Sequence, residues 1–263
     1  MTTWNLDEYV AAHQSVYAYY REVCARQSAE ELAVQSLCPD WDVRGVVAHT
    51  IGVEAVLDGW EPSDETPPPF GKMGEVAAEF AGLDPAALEA RVEEITSSRM
   101  AHLQSLDASV VDRASFTPTG VATYGDFLRV RAFDLWVHAR DIAIPLGEVL
   151  DDGGFAAEMA LDEVARATGY IVGKKIGLPD GMSIVFHVTG GVERDIALRV
   201  DGRATPVDSL DAPDVEVTAD VTTFVMLAAG RIDPQEPIDA GRITWSGDAE
   251  WGERAARNLA YTR

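Results

Sequence analysis

Apolar positions recur at helical spacing through the first half of this chain and at strand spacing only in the second. Across residues 6–35, Tyr9, Val10, Val16, Tyr17, Tyr20, Val23 and Cys24 follow the period of one long helix. Leu37-Cys38-Pro39-Asp40-Trp41 reads as a turn. Asp42 then reads as the N-cap of a second helix that runs through His49 to about residue 58. A loop rich in proline and acid covers residues 61–69. Further helices are predicted over about 84–106 and about 124–144, the latter stopped by Pro145 and Gly147. A connecting helix follows over about 154–175.

After Gly177 the texture changes. Residues 183–188 and 195–200 are short β-rich runs, the second strictly alternating, and residues 214–218 repeat that pattern. A helix is expected over 221–229, a strand over 242–245, and a last helix from an Asp248 cap to about residue 260. The expected class is α+β, with four helices, a connecting helix and a small α/β unit. The division falls at 1–150 and 151–263, and the chain shows no internal repeat.

Composition adds exclusions. With 47% hydrophobic and 25% charged residues, the 263-residue chain has the make-up of an ordinary soluble globular protein. Its formal charge of −23 repels phosphate backbones and anionic lipid, so neither nucleic acid nor membrane is expected as a partner. An anionic small substrate would need a local cluster of arginines. The first eight residues carry neither a basic segment nor an apolar run, and no apolar stretch reaches the roughly 18–20 residues of a membrane span. Cys24 and Cys38 lack CxxC spacing and have no neighbouring histidine in sequence, so both read as reduced, structural thiols. The expected location is cytoplasmic.

The most informative segment lies in the fourth long helix. At about 100° per residue, Arg131, Asp134, His138 and Asp141 share one narrow stripe. Leu128, Leu135, Ala139 and Ile142 flank it on one side, and Val130, Phe133 and Val137 on the other. Arg129, Trp136 and Arg140 are left to face water. The charged stripe therefore points into the bundle, where unpaired charges cost several kcal/mol. Two explanations fit. One is an internal salt-bridge network; the other is a metal site with Asp134 and His138 as ligands one turn apart.

His49 lies on an apolar stripe with Gly45, Val46, Gly52, Val53 and Val56. It reads either as a hydrogen-bonded core histidine or as a third ligand, the small glycines allowing another backbone to approach. With Asp134 and His138 it would complete a His₂-carboxylate set, which suits zinc and also other divalent metals such as iron(II). Trp41 reads as a core anchor for the helix start, and His13, His102 and His187 as structural, with His102 exposed.

Two stretches carry a resemblance. Residues 38–49 resemble the P-x-W-x-V-x-x-x-x-x-H opening of the mycothiol-dependent maleylpyruvate isomerase family, and Asp134 to Ile142 resemble its second block. Phe224 to Arg231, with Gly247-Asp248, resembles its C-terminal part. The resemblance implies a DinB-like four-helix bundle followed by a small α/β domain similar to sterol-carrier proteins. It implies zinc on His49, Asp134 and His138, with mycothiol or a similar thiol at the open position and a small-molecule substrate. Asp134 stands where the isomerase type is expected to carry Glu.

The implied chemistry is attack by a metal-activated thiolate on an electrophile, ending in isomerisation or S-transfer. Asp141 suits either acceptance of a ligand histidine's ring N–H or pairing with Arg131. Arg131 and Arg231 are the candidate cations for an anionic substrate or thiol. The competing class is a small-molecule binding protein whose polar stripe, or metal site, is structural. The substrate and the oligomeric state are left open.

Overall fold

Capping residues set the helix boundaries in the N-terminal half. The computed structural model describes residues 3–118 and 120–262. Asn5 and Glu8 cap each other's backbone N–H at the start of α1 (Leu6–Arg26). The single helix expected over 6–35 is two. Ser28 and Glu31 form a second reciprocal cap that starts α2 (Ala29–Leu32), because a serine side chain competes locally for backbone N–H groups. Asp42 caps α3 (Val43–Val56) through Gly45 N at 2.7 Å, as the sequence predicts.

After the proline-rich segment comes α4 (Met73–Gly82), which the pattern did not reveal because Phe80 is its one buried residue. Asp84 caps α5 (Pro85–Ser105). A hairpin of β1 (Ala114–Thr117) and β2 (Gly120–Thr123), also unforeseen, leads into α6 (Tyr124–Ala143) through a reciprocal Thr123–Asp126 cap. Four residues per strand are too few for alternation to stand out.

Helix α1 packs on α5 and α6, and α3 packs on α4, α5 and α6. The shared interior is built on Tyr17, Tyr20, Ile51, Leu88, Leu103 and Phe127, all essentially without solvent exposure. Each such burial contributes on the order of 1.5–3 kcal/mol. Tyr20 also donates its hydroxyl to Leu135 O at 3.0 Å, tying α1 to α6.

The arc of α6 expected to face water is buried. Arg140 lies over the Trp136 ring and Arg129 pairs with Asp126, so both cations enter the interior with a partner. The glycines of α3 admit side chains rather than another backbone. A Cβ at Gly45 would stand 2.9 Å from Trp41 Cβ, and one at Gly52 would stand 3.1 Å from Val76 Cγ1.

His13 is buried on α1 and donates from Nδ1 to Tyr9 O, 2.8 Å away. Burial lowers its pKa to about 4 against the partial opposition of Glu54. The folded state thus resists a proton that the unfolded chain takes up at about 6.5. Its stabilising share is whole above pH 6.5 and is lost as pH falls towards 4. A decline of about 2 kcal/mol is expected between urea midpoints measured at pH 7.5 and 5. In His13→Phe the difference should shrink; an unchanged pH slope would assign the decline elsewhere.

The chain divides in sequence between Leu150 and Asp151 into two compact units. In the second, α7 (Gly154–Tyr170) widens into a π-helical turn over Ile171–Ile176 and stops at Gly177, whose φ is 72°. There follow β3 (Ser183–Thr189), β4 (Arg194–Asp201), β5 (Arg203–Val207), β6 (Val215–Asp220), α8 (Val221–Ala228), α9 (Gln235–Asp239), β7 (Ile243–Gly247) and α10 (Ala249–Arg257). The strands form one sheet in the order β5-β4-β3-β6-β7, with β3 and β6 parallel and the other pairs antiparallel. A helical part followed by a sheet-containing part is the α+β arrangement predicted. No helix among the described residues is long and apolar enough to cross a membrane.

Candidate metal centre

Helices α3 and α6 bring His49, Asp134 and His138 together. One ligand atom from each lies within 4.8 Å of the other two. The His49 and His138 rings meet edge to face, their centroids 5.1 Å apart. His138 Nε2 is 3.6 Å from Asp134 Oδ1. His138 is buried, whereas His49 is half-buried and the Asp134 side chain keeps 31% of its surface exposed. The group is closed at His138 and open at the other two.

Partners behind each group fix its orientation. Asp141 Oδ2 lies 2.7 Å from His138 Nδ1, so a proton on that nitrogen leaves the Nε2 lone pair facing Asp134. Of the two roles the sequence allows Asp141, this is the one the geometry presents. Arg131 instead donates from Nη1 to Asp134 Oδ2 at 2.7 Å, and from Nη2 to Glu54 Oε1 at 2.7 Å and Thr50 O at 3.2 Å. Arg99 reaches Glu54 Oε2 from the other side at 3.1 Å and the Tyr124 hydroxyl at 3.1 Å. The result is a row of alternating charge, Arg99–Glu54–Arg131–Asp134, running from α5 through α3 to α6. A salt-bridge network and a group of ligand type share one stripe.

The electrostatics follow from that row. Burial works to raise the Glu54 pKa, but Arg131, then Arg99 and His13, overcome it and hold the carboxyl at about 2. At Asp134 burial again pushes upward, and Arg131, His138 and His49 outweigh it, keeping the carboxyl below its ordinary value. Asp134 is therefore an ionised acceptor with Oδ1 turned to His138.

Two readings of the sequence are corrected here. Trp41 is not a core anchor: 36% of it is exposed, and its ring stacks on His49 at 4.6 Å with 26° between the planes. Cys38 is not an isolated structural thiol. Its Sγ lies 3.2 Å from Asp141 Oδ2 and 3.7 Å from His138 Nδ1, and Cys38, His138 and Asp141 form a second, wholly buried group of ligand type. A separation of one hundred residues hid this contact from any reading of local spacing.

Glu54 and Arg99 were also missed, although Glu54 is the one acid in an otherwise apolar stretch of α3. Arg231, half-buried in the second unit just after α8, donates its backbone N–H to Met226 O. His102 is partly buried rather than exposed, and His187 pairs with Asp195 across β3 and β4.

The fold is that of a two-part protein, a helical bundle that gathers two histidines and a carboxylate followed by a sheet-containing unit. Residues 15–143 match the model of the mycothiol maleylpyruvate isomerase N-terminal domain, and residues 158–254 match that family's C-terminal domain. The chain belongs to the mycothiol-dependent maleylpyruvate isomerase family.

Among solved structures, a crystal structure of the mycothiol-dependent maleylpyruvate isomerase aligns at 20% identity with a TM-score of 0.61. The alignment covers 95% of this chain and 98% of that one. A histidine-to-alanine mutant of the same enzyme aligns over the same shares at 20% identity with a TM-score of 0.59. At this identity the likeness is one of fold. Sterol carrier protein 2 like 2 from Aedes aegypti aligns over 38% of this chain and 95% of its own, at 15% identity with a TM-score of 0.31. No curated protein matches the sequence significantly.

Proposed function

We propose that this chain is an enzyme that uses a divalent metal, zinc first among the candidates, and a low-molecular-weight thiol, mycothiol or one similar to it, to isomerise or S-transfer a small electrophile. The observation that carries the reading is the convergence of His49, Asp134 and His138, with ligand atoms within 4.8 Å of one another and an opening on the His49 and Asp134 side. Two imidazoles and a carboxylate form the donor set of a zinc site that keeps a position for a further ligand. The family's thiol dependence supplies the second half of the proposal.

When bound, such a cation stabilises the thiolate form of a coordinated thiol near neutral pH and so supplies the nucleophile. The chain's own residues set the stage. Asp141 keeps the His138 proton on Nδ1, and Arg131 keeps Asp134 ionised and turned inward. Glu54 and Arg99 hold Arg131 in place, so the carboxylate need not reorganise. Asp134 is one methylene shorter than Glu, yet its Oδ1 already lies 3.6 Å from His138 Nε2.

Protein purified without added metal is expected to carry close to one zinc per chain by elemental analysis. Metal-loaded protein should consume model electrophiles only when a thiol is supplied. Turnover independent of every thiol tried would remove the thiol half and leave the metal half standing.

The Cys38, His138 and Asp141 group supports a second placement of the metal, on the Nδ1 side of the same ring. Cys38→Ser separates the two, since metal content should persist for the first placement and collapse for the second. Asp141→Asn makes a finer test. Loss of the carboxylate behind a ligand histidine is expected to weaken zinc about 10–100-fold in chelator competition. An affinity equal to wild type would place Asp141 outside the metal's support.

A further inference from the structure

Beside the ligand group, α3 and α4 enclose a groove of about 610 Å³, within the range of about 300–1,000 Å³ typical of small-molecule sites. His49 lies on its wall, so the groove and the ligand group share a residue. Trp41 forms the same wall, stacked on His49 and one-third exposed. Gly45, Ala48, Met73 and Ala77 give the rest an apolar, mostly small-residue surface. Gly45 is required for this shape, because any Cβ there would collide with the Trp41 side chain that folds back over the helix.

The charges of the lining decide what can enter. One cation and one anion belong to it, Arg44 and Asp42. Arg44 turns its Nη1 onto Phe80 O at 3.1 Å and Leu83 O at 2.6 Å, at the C-terminal end of α4. Asp42 accepts from Gly45 N as the cap of α3. Arg44 is engaged by the C-terminal end of α4 and Asp42 by the start of α3, and the two cancel. A divalent cation on His49 and Asp134 would in turn be offset by the Asp134 carboxylate and the thiolate of the proposed function. A dicarboxylate would call for several convergent donors, guanidinium above all, and would approach against a net charge of −23. A flat neutral molecule meets none of these penalties and gains stacking on the indole.

We infer that this groove is the acceptor subsite, and that it selects an uncharged, flat, largely apolar electrophile rather than a dianion. The inference rests on the proposed function for the word electrophile; the groove's preference for neutral apolar molecules stands apart from it.

The neutral dye N-phenyl-1-naphthylamine is the probe, titrated into full-length protein as purified and after zinc loading, with fluorescence as the readout. Metal content is measured on the same samples. Micromolar binding is expected, with no displacement by maleate at equal concentration. Ala77 is exposed on α4, so Ala77→Trp fills the groove without touching the core and should weaken the dye at least tenfold with metal content unchanged. Ala77→Ser should bind like wild type.

Dye binding unaffected by Ala77→Trp, or maleate binding where the dye does not, overturns the inference. Protein that holds zinc yet ignores the dye removes the groove and spares the metal reading. Protein that binds the dye but never holds metal does the reverse.

Discussion

Protein carrying His138→Ala is expected to purify without metal and to show no thiol-dependent turnover. His138 is the member common to both candidate ligand groups, facing Asp134 through Nε2 and Cys38 and Asp141 through Nδ1. No other single change removes both placements of the cation at once. Loss of a direct ligand must exceed the roughly 10–100-fold that loss of a supporting partner costs, so zinc affinity should fall about a thousandfold or more. The folded state survives at a price, because Asp141 stays fully buried without its imidazole partner. A destabilisation of about 2–4 kcal/mol is expected from the lost hydrogen bond and the cavity together. Metal analysis after dialysis, with circular dichroism confirming the fold, checks the result. Retention of wild-type metal content would sink the assignment of this ring as a ligand.

The largest loss of stability is expected at a side chain that is itself almost wholly buried. Glu54 is 1% exposed at its side chain and binds two guanidinium groups that are themselves nearly inaccessible. Glu54→Gln keeps the shape but removes the carboxylate that Arg99 and Arg131 share, leaving Arg131 with Asp134 alone. Breaking a buried pair from one side costs about 3–5 kcal/mol. The urea midpoint should move accordingly, and a loss under about 1 kcal/mol would show that the row is not held by charge.

The sign of the pH effect is fixed by the direction of the Glu54 shift. Its folded pKa, about 2, is below the unfolded value of 4.5. Its stabilisation is complete above 4.5 and is lost as pH falls from there through 2. Glu54→Gln should flatten that acid limb, while the His13 loss between pH 6.5 and 4 remains.

How much could be read from the chain alone depended on whether a feature was local. Helix α6 announced its polar stripe because Arg131, Asp134, His138 and Asp141 are three and four residues apart within one helix, and the caps at Asp42 and Asp248 are equally short-range. The apolar stripe around His49 left it either a core histidine or a third ligand, and the family resemblance favoured the ligand. Cys38 beside Asp141 and Arg99 beside Glu54 are tertiary contacts, without a spacing signal. Trp41 misled because a large aromatic before an N-cap usually packs inward, whereas here Gly45 gives it room to lie across His49. Arg129 and Arg140 misled for the opposite reason. Charge was taken for exposure, but an ion pair and an aromatic face let both go under.

The row from Arg99 to Asp134 also constrains how this sequence can diverge. Each member is held by its neighbours, so their substitution effects will not add. Lengthening Asp134 to Glu would shift the carboxylate that Arg131 and His138 both face, and through Arg131 it would be felt at Glu54 and Arg99. The carboxylate at position 134 is therefore coupled to its row, and the effect of Asp134→Glu is expected to depend on which residues stand at 131, 54 and 99.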